Sequence, residues 1–269
     1  LPPAGVLGER YDRNPREGLA LAEQSGWVMA AELRTLGVDL SFAPVLDLNR
    51  GISGVIGDRA YHRDPEAVSE LARAVMRGMK SAGMSAVGKH FPGHGAVRED
   101  SHLTLPVDHR PLEDILAEDI VPFERMVYYG IAGMMPAHVV FDRVDSRPAG
   151  FSRFWLQEIL RQRLGFQGII ISDDLSMAGA ESMGDFGDRT RAALEAGCDM
   201  VLICNHPEGA AQALERLEGY NNPASQLRLA RLHGRGGLAT GELRANDHWR
   251  QASARLSSLV DSPDLELDV

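Results

Sequence analysis

Cysteine is almost missing from this chain. Cys198 and Cys204 are the only two in 269 residues. They read as lying on one strand, facing the same way and unable to bridge readily. That excludes a disulfide framework and fits a reducing compartment. Positive charge is in deficit, with 28 Lys and Arg against 38 Asp and Glu and a net charge of −10. Such a balance argues against a nucleic-acid partner, which demands a basic surface. No apolar run approaches the ~18 residues that span a bilayer, so no membrane partner is expected. Leu1-Pro2-Pro3 is no signal peptide, and no low-complexity repeat occurs. The remainder is ordinary for a globular protein, 44% apolar and 25% charged, and long enough for one large α/β domain or two small ones.

What is present is a repeating strand–helix grammar. Asn14-Pro15 with Glu17 has the form of a helix start, and the helix should run through Trp27, Ala31 and Leu36 to stop at Gly37. A strand over Val38 to Leu48 follows. Asp64-Pro65 opens a second helix that ends near Gly83, before a strand through Ser85-Ala86-Val87-Gly88. A third helix is predicted from Leu112 to Tyr129, kinked at Pro122, before a strand from Ile131 to Val139. Ser152 caps a fourth helix, stopped by Gly165, before Gly168-Ile169-Ile170-Ile171-Ser172. A fifth helix ends at Gly197 and leads into Asp199-Met200-Val201-Leu202-Ile203, and Pro207 opens another. Alternation of this kind implies βαβ units and a parallel sheet. The Ile169-Ile170-Ile171 run fits a strand covered on both faces. Five strands are legible, against about eight in a closed barrel.

Each strand carries polar residues at or just beyond its C-terminal end: Asp47, Lys89 with His90, His138, Asp173 with Asp174, and Asn205. Active sites of α/β folds form at that end. Any one of these residues could merely cap the next helix; five together favour a shared site. Three histidines, His90, His94 and His102, fall close together, but their spacing and the intervening Pro92, Gly93 and Gly95 match no zinc pattern. No metal and no cofactor are expected. From the residues alone, Asp173 and Asp174 are equally eligible as a reactive carboxylate.

Lys89-His90-Phe91-Pro92-Gly93-His94-Gly95 with Asp100-Ser101-His102, followed by Ser172-Asp173-Asp174-Leu175-Ser176-Met177, resembles the paired signatures of bacterial β-N-acetylglucosaminidases of glycoside hydrolase family 3. Ser41-Phe42-Ala43-Pro44-Val45-Leu46-Asp47, Gly57-Asp58-Arg59 and Asp199-Met200-Val201-Leu202-Ile203-Cys204-Asn205 are similar as well. The resemblance spans about residues 1 to 218. It implies a (β/α)8 TIM-type barrel, incomplete at the N-terminus, with residues 219–269 as peripheral helices and tail of the same domain. It implies a retaining exo-glycosidase working through a covalent glycosyl-enzyme. His102 would be the acid/base, Asp100 its polarising partner and Asp174 the nucleophile, with Arg59, Lys89 and His90 holding sugar hydroxyls. Asp47 lies in a family-like segment with its role open. The family setting implies muropeptides of the bacterial cell wall as substrate, in the cytoplasm, and a monomer. Phosphorolysis on the same intermediate, or a non-catalytic sugar-binding barrel, remain as alternatives. Family members also carry an acid-glycine-glycine-arginine segment ahead of the stretch matching Leu1-Pro2. That segment is not in this sequence, so the stretch as given is expected to be a truncated, inactive part of an active parent.

Overall fold

A computed structural model describes residues 1–101 and 103–260. The chain begins with α1 (Ala4–Arg13) and α2 (Pro15–Thr35), and the Asn14 side chain accepts from the Glu17 N–H at the start of α2. Then come β1 (Leu40–Ser41), α3 (Pro65–Ser81) capped by Asp64, β2 (Ser85–Phe91) and β3 (Val107–Asp108). α4 (Leu112–Asp114) and α5 (Val121–Tyr128) precede β4 (Gly133–Pro136), β5 (Val140–Phe141) and β6 (Asp145–Pro148). β7 (Ile169–Asp174), α6 (Phe186–Ala196), β8 (Met200–Leu202) and α7 (Pro207–Arg216) complete the repeating part. α8 (Pro223–Leu229), α9 (Thr240–Ala245) and α10 (Asp247–Ser257) close the described chain.

Five strands form one parallel sheet in the order β1-β2-β4-β7-β8, curled as part of a (β/α) barrel. Two buried clusters mark its two faces. Val87, Met135, Ile169 and Ile171, with Leu40, Phe42, Met200 and Leu202 packed against them, face the barrel interior. Met134, Ile170, Leu46 and the apolar stripes of α2, α3 and α5 form the larger layer between sheet and helices. Side chains alternate along a strand, so Ile169 and Ile171 of β7 point inward and Ile170 points toward the helices.

Three expectations change. The strand placed at Val38 to Leu48 is regular only at Leu40–Ser41; beyond Pro44, which has no N–H to give a ladder, contact with β2 continues as an isolated Val45–Lys89 bridge. The single helix placed at Leu112 to Tyr129 is broken by a π-helical turn at Ile115–Asp119, and Pro122 then sits in the first turn of α5, where a missing N–H costs nothing. A small second sheet, β3-β5-β6, was not foreseen, because its strands are short and two of them are buried without alternation.

The segment after Gly219 packs on the same body. Asp199, 8% exposed, takes Arg161 at 2.7 Å and, from α8, Ser225 Oγ and Arg228, each also at 2.7 Å. In α10, Trp249 Nε1 donates to Glu32 Oε1 of α2 at 2.9 Å. No helix among the described residues is long and apolar enough to cross a membrane.

Candidate active site

The C-terminal ends of β1, β2, β4 and β7 bring their polar residues into one cluster with Asp47 as its structural hub, while Asn205 beyond β8 is exposed. The Asp47 carboxylate is 1% exposed. It accepts from the His94 backbone N–H at 2.7 Å and from the His90 backbone N–H at 3.3 Å, and its Oδ2 lies 2.7 Å from His90 Nδ1. Burial pushes the carboxyl up, but His90, His94 and the His94 N–H outweigh it and hold Asp47 below the ordinary carboxylate range. As an acceptor, the carboxylate fixes the His90 tautomer with the proton on Nδ1 and leaves Nε2 for a ligand.

The pairing of β2 with β4 shifts register between Lys89 and Phe91. That bulge brings consecutive residues Lys89 and His90 both to bear on Asp173, where an even strand would turn them to opposite faces. Burial and the charge of Arg59 push the Lys89 amine down, against the upward pull of Asp173 and Asp47. Arg59 ends a short 3-10 turn, Gly57–Arg59, and donates to the Val55 carbonyl at 2.8 Å. Lys89, His90 and Arg59 are therefore gathered with Asp47 and Asp173 into one charged group.

The two neighbouring acids of β7 have different surroundings. The pairing of β7 with β8 shifts register between Ile171 and Asp174, so each acid is placed by its neighbours, and those of Asp173 are His90, His138 and Lys89. Burial works against Asp173 ionisation, but the rings of His90 and His138, the Asp174 N–H at 2.8 Å and the Lys89 charge outweigh it, so the carboxyl is held down and ionised. Asp174 is held instead by the loops that follow β7 and β8. Its Oδ1 accepts from the Ser176 N–H and the Cys204 N–H, each at 2.9 Å, and its Oδ2 accepts from Ser176 Oγ at 2.6 Å. That is the environment of a loop-capping carboxylate.

The Asp100 carbonyl accepts from the Leu103 and Thr104 N–H groups, and the next residue, Ser101, lies against His94. His102 lies outside the described residues. His138 is fully buried, stacked on Phe151 with centroids 5.4 Å apart, and donates from Nε2 to the Asp174 carbonyl at 3.1 Å. Position at the strand ends marked His138 and the Asp173–Asp174 pair, but it gave no reason to prefer Asp173 and no role for His94 or Ser101. The parity of Val87 with Lys89 was the available signal, but on strands buried on both faces nothing in the apolar pattern says which parity is inward.

Burial pushes the imidazoles of both His94 and His138 down, with Asp47 and Asp173 respectively pulling them back only in part. A histidine whose folded pKa lies below its unfolded value takes up its proton first in the unfolded chain as pH falls. Stability is then full above the unfolded value of about 6.5 and declines below it, by at most about 1.4 kcal/mol per pH unit for each ring. Thermal unfolding is therefore expected to hold its midpoint from pH 8 to 7 and lose it progressively from pH 6.5 to 5. A midpoint flat across that interval would mean that both rings take up protons in the fold.

Comparison with known proteins agrees with this geometry. Residues 1–232 match the glycosyl hydrolase family 3 N-terminal domain. A β-hexosaminidase of Thioalkalivibrio sulfidiphilus is 63% identical over all of this chain and 77% of its own length, and one of Methylococcus capsulatus is 55% identical over 97% and 78%. Among solved structures, NagZ from Neisseria gonorrhoeae in complex with N-trifluoroacetyl-D-glucosamine superposes with a TM-score of 0.88 at 43% identity, covering 96% of this chain and 75% of that one. A family 3 β-N-acetylglucosaminidase from Paenibacillus gives 0.84 at 30% identity, covering 96% and 52%. A parallel half-barrel with its charged cluster at the C-terminal strand ends, and a match over most of its length, make this chain a member of glycosyl hydrolase family 3.

Proposed function

We propose that this glycoside hydrolase, a β-hexosaminidase like its relatives, removes terminal β-linked N-acetylglucosamine with retention of configuration, through a glycosyl-enzyme on Asp173. The observation that carries the reading is the ionised Asp173 beside Lys89 and His90 at the end of a rigid strand. A nucleophile must present a lone pair to the anomeric carbon. Asp173 has its surroundings arranged for that; Asp174, chosen by resemblance, has both oxygens engaged by loop donors. Arg59 and Lys89 supply donors for sugar hydroxyls, and His90 Nε2 accepts from one.

His102, polarised by Asp100, serves as acid and then base, because imidazole titrates near neutral pH. It protonates the leaving oxygen while Asp173 attacks, then draws a proton from the water that releases the sugar. Muropeptide fragments of the cell wall in the bacterial cytoplasm are the substrate class this activity would serve. Likeness to a protein solved with an N-acetylglucosamine analogue supports the sugar.

The intact protein is expected to release aryl alcohol from an aryl β-N-acetylglucosaminide at a rate unchanged by added phosphate. N-acetylglucosamine should be the product by NMR, in the β-anomer at first. A rate that rises in proportion to phosphate, with sugar 1-phosphate formed, would make the enzyme a phosphorylase. No release at all would leave a sugar-binding barrel.

A further inference from the structure

Ser101 stands between Asp100 and residue 102 and is 3% exposed, unusual for a hydroxyl in a glycine-rich surface connection. Two elements hold it. Its Oγ lies 3.0 Å from His94 Nε2, and its carbonyl accepts from the Gly179 N–H at 3.0 Å. A Cβ at Gly179 would come within 2.8 Å of His138 Cβ and 3.2 Å of the Ser101 carbonyl, so a larger residue would push the two segments apart. His94 is itself tied down, its N–H donating to Asp47 at 2.7 Å and its ring packed edge-on to His90 with centroids 5.9 Å apart.

The cost of this arrangement shows what it does. His94 is 3% exposed, and its Nδ1 has no hydrogen-bond partner among the described residues. A buried polar atom left unpaired costs about 1–3 kcal/mol. An apolar side chain would fill the same volume without that cost, but it could not bond Ser101. The ring's one hydrogen bond among the described residues is the one to Ser101, and with the His94 N–H on Asp47 it links the Asp47 hub to the loop.

We propose that Ser101, gripped by His94 and by the Gly179 N–H, is the positioning residue of the acid/base loop, anchoring its main chain at the position between the acid/base histidine and its polarising acid. This rests on the assignment of His102 as acid/base given above. Ser101 touches neither substrate nor reacting atoms; it acts through the loop geometry. Misplacing a catalytic group by about 1 Å costs up to about 100-fold. The loss falls on bonds that need a proton, since a good leaving group departs unaided.

The test measures kcat/KM, which reports bond cleavage, for aryl β-N-acetylglucosaminides from nitrophenolate to unactivated phenol and alkyl leaving groups. Ser101→Ala and His94→Leu are each compared with His102→Ala, Asp100 being left intact. Both variants are expected to lose about 10- to 100-fold on poor leaving groups and less than about threefold on nitrophenyl substrates, and so to steepen the dependence on leaving-group pKa. His94→Gln, whose amide nitrogen reaches the place of Nε2, is expected to restore the wild-type slope. A merely structural role would lower the folded fraction and slow every substrate alike. That pattern, or wild-type rates in Ser101→Ala while His102→Ala shows the steep slope, overturns the positioning role alone. A flat slope in His102→Ala itself removes the acid/base assignment, and this proposal falls with it.

Discussion

Asp173→Asn is expected to lower kcat by about 10⁴-fold or more, the scale seen when a covalent nucleophile is removed, while Asp174→Asn keeps most of the activity and loses stability instead. An amide oxygen in place of the Asp173 carboxylate carries no full charge to stabilise the developing oxocarbenium ion and forms no glycosyl ester. The Lys89 amine and the His90 ring would remain in place around a neutral group. At Asp174, by contrast, the carboxylate satisfies the N–H groups of Ser176 and Cys204 and the Ser176 hydroxyl. An asparagine can keep both N–H groups on Oδ1 and donate from Nδ2 to the Ser176 hydroxyl, so what is lost is the strength a full charge gives these bonds, about 1–2 kcal/mol. Its effect on rate should stay within about tenfold, through small displacement of the strand end. Steady-state kinetics on an aryl β-N-acetylglucosaminide and thermal unfolding separate the two. Fragmentation of a quenched glycosyl-enzyme between residues 173 and 174 locates the ester directly. An ester on Asp174, or the larger kcat loss there, would return the nucleophile to the second acid.

Substitution at Asp47 is expected to divide fold from function. Asp47→Leu removes the acceptor for the backbone N–H groups of His90 and His94 and for the His90 ring, all buried. Breaking a buried charged network from one side costs about 3–5 kcal/mol, or a fall in midpoint of roughly 10 °C for a domain of this size. Asp47→Asn should fold, because its carbonyl can keep the 2.7 Å bond from the His94 N–H. Its amide then donates toward His90 Nδ1, which must become the acceptor, so the ring proton moves to Nε2. A site built to accept there now donates, and kcat/KM is expected to fall about 100-fold with little change in midpoint, an effect comparable to other second-partner losses. An Asp47→Asn enzyme with wild-type kcat/KM would show that the His90 tautomer has no part in substrate binding.

The helices were legible because their signals are local. Asn14, Asp64 and Asp185 each cap a helix within three residues of themselves, and Pro at the first turn of α2, α3 and α7 marks where each begins. The alternation of strands and helices and the family resemblance followed from short motifs in sequence. Breaks inside elements were harder to see, since the π turn at Ile115–Asp119 and the short β1 arise from packing against neighbours.

By itself, then, the sequence determined an alternating α/β chain of family 3 with a charged set of residues at its strand ends. Tertiary structure decided how that set is used. The bond from the Asp47 carboxylate to the His90 ring joins residues 43 positions apart, and no local pattern encodes such a meeting. Asp173 and Asp174 differ in what surrounds each: His90, His138 and Lys89 act on the first, and loop donors hold the second. Ile169, Ile170 and Ile171 are all buried, so hydrophobic alternation, the only local record of facing, is erased on a strand covered from both sides. The pairing of β7 with β8 then shifts register between Ile171 and Asp174, so only the meeting of separate strands and loops sets the surroundings of the two acids.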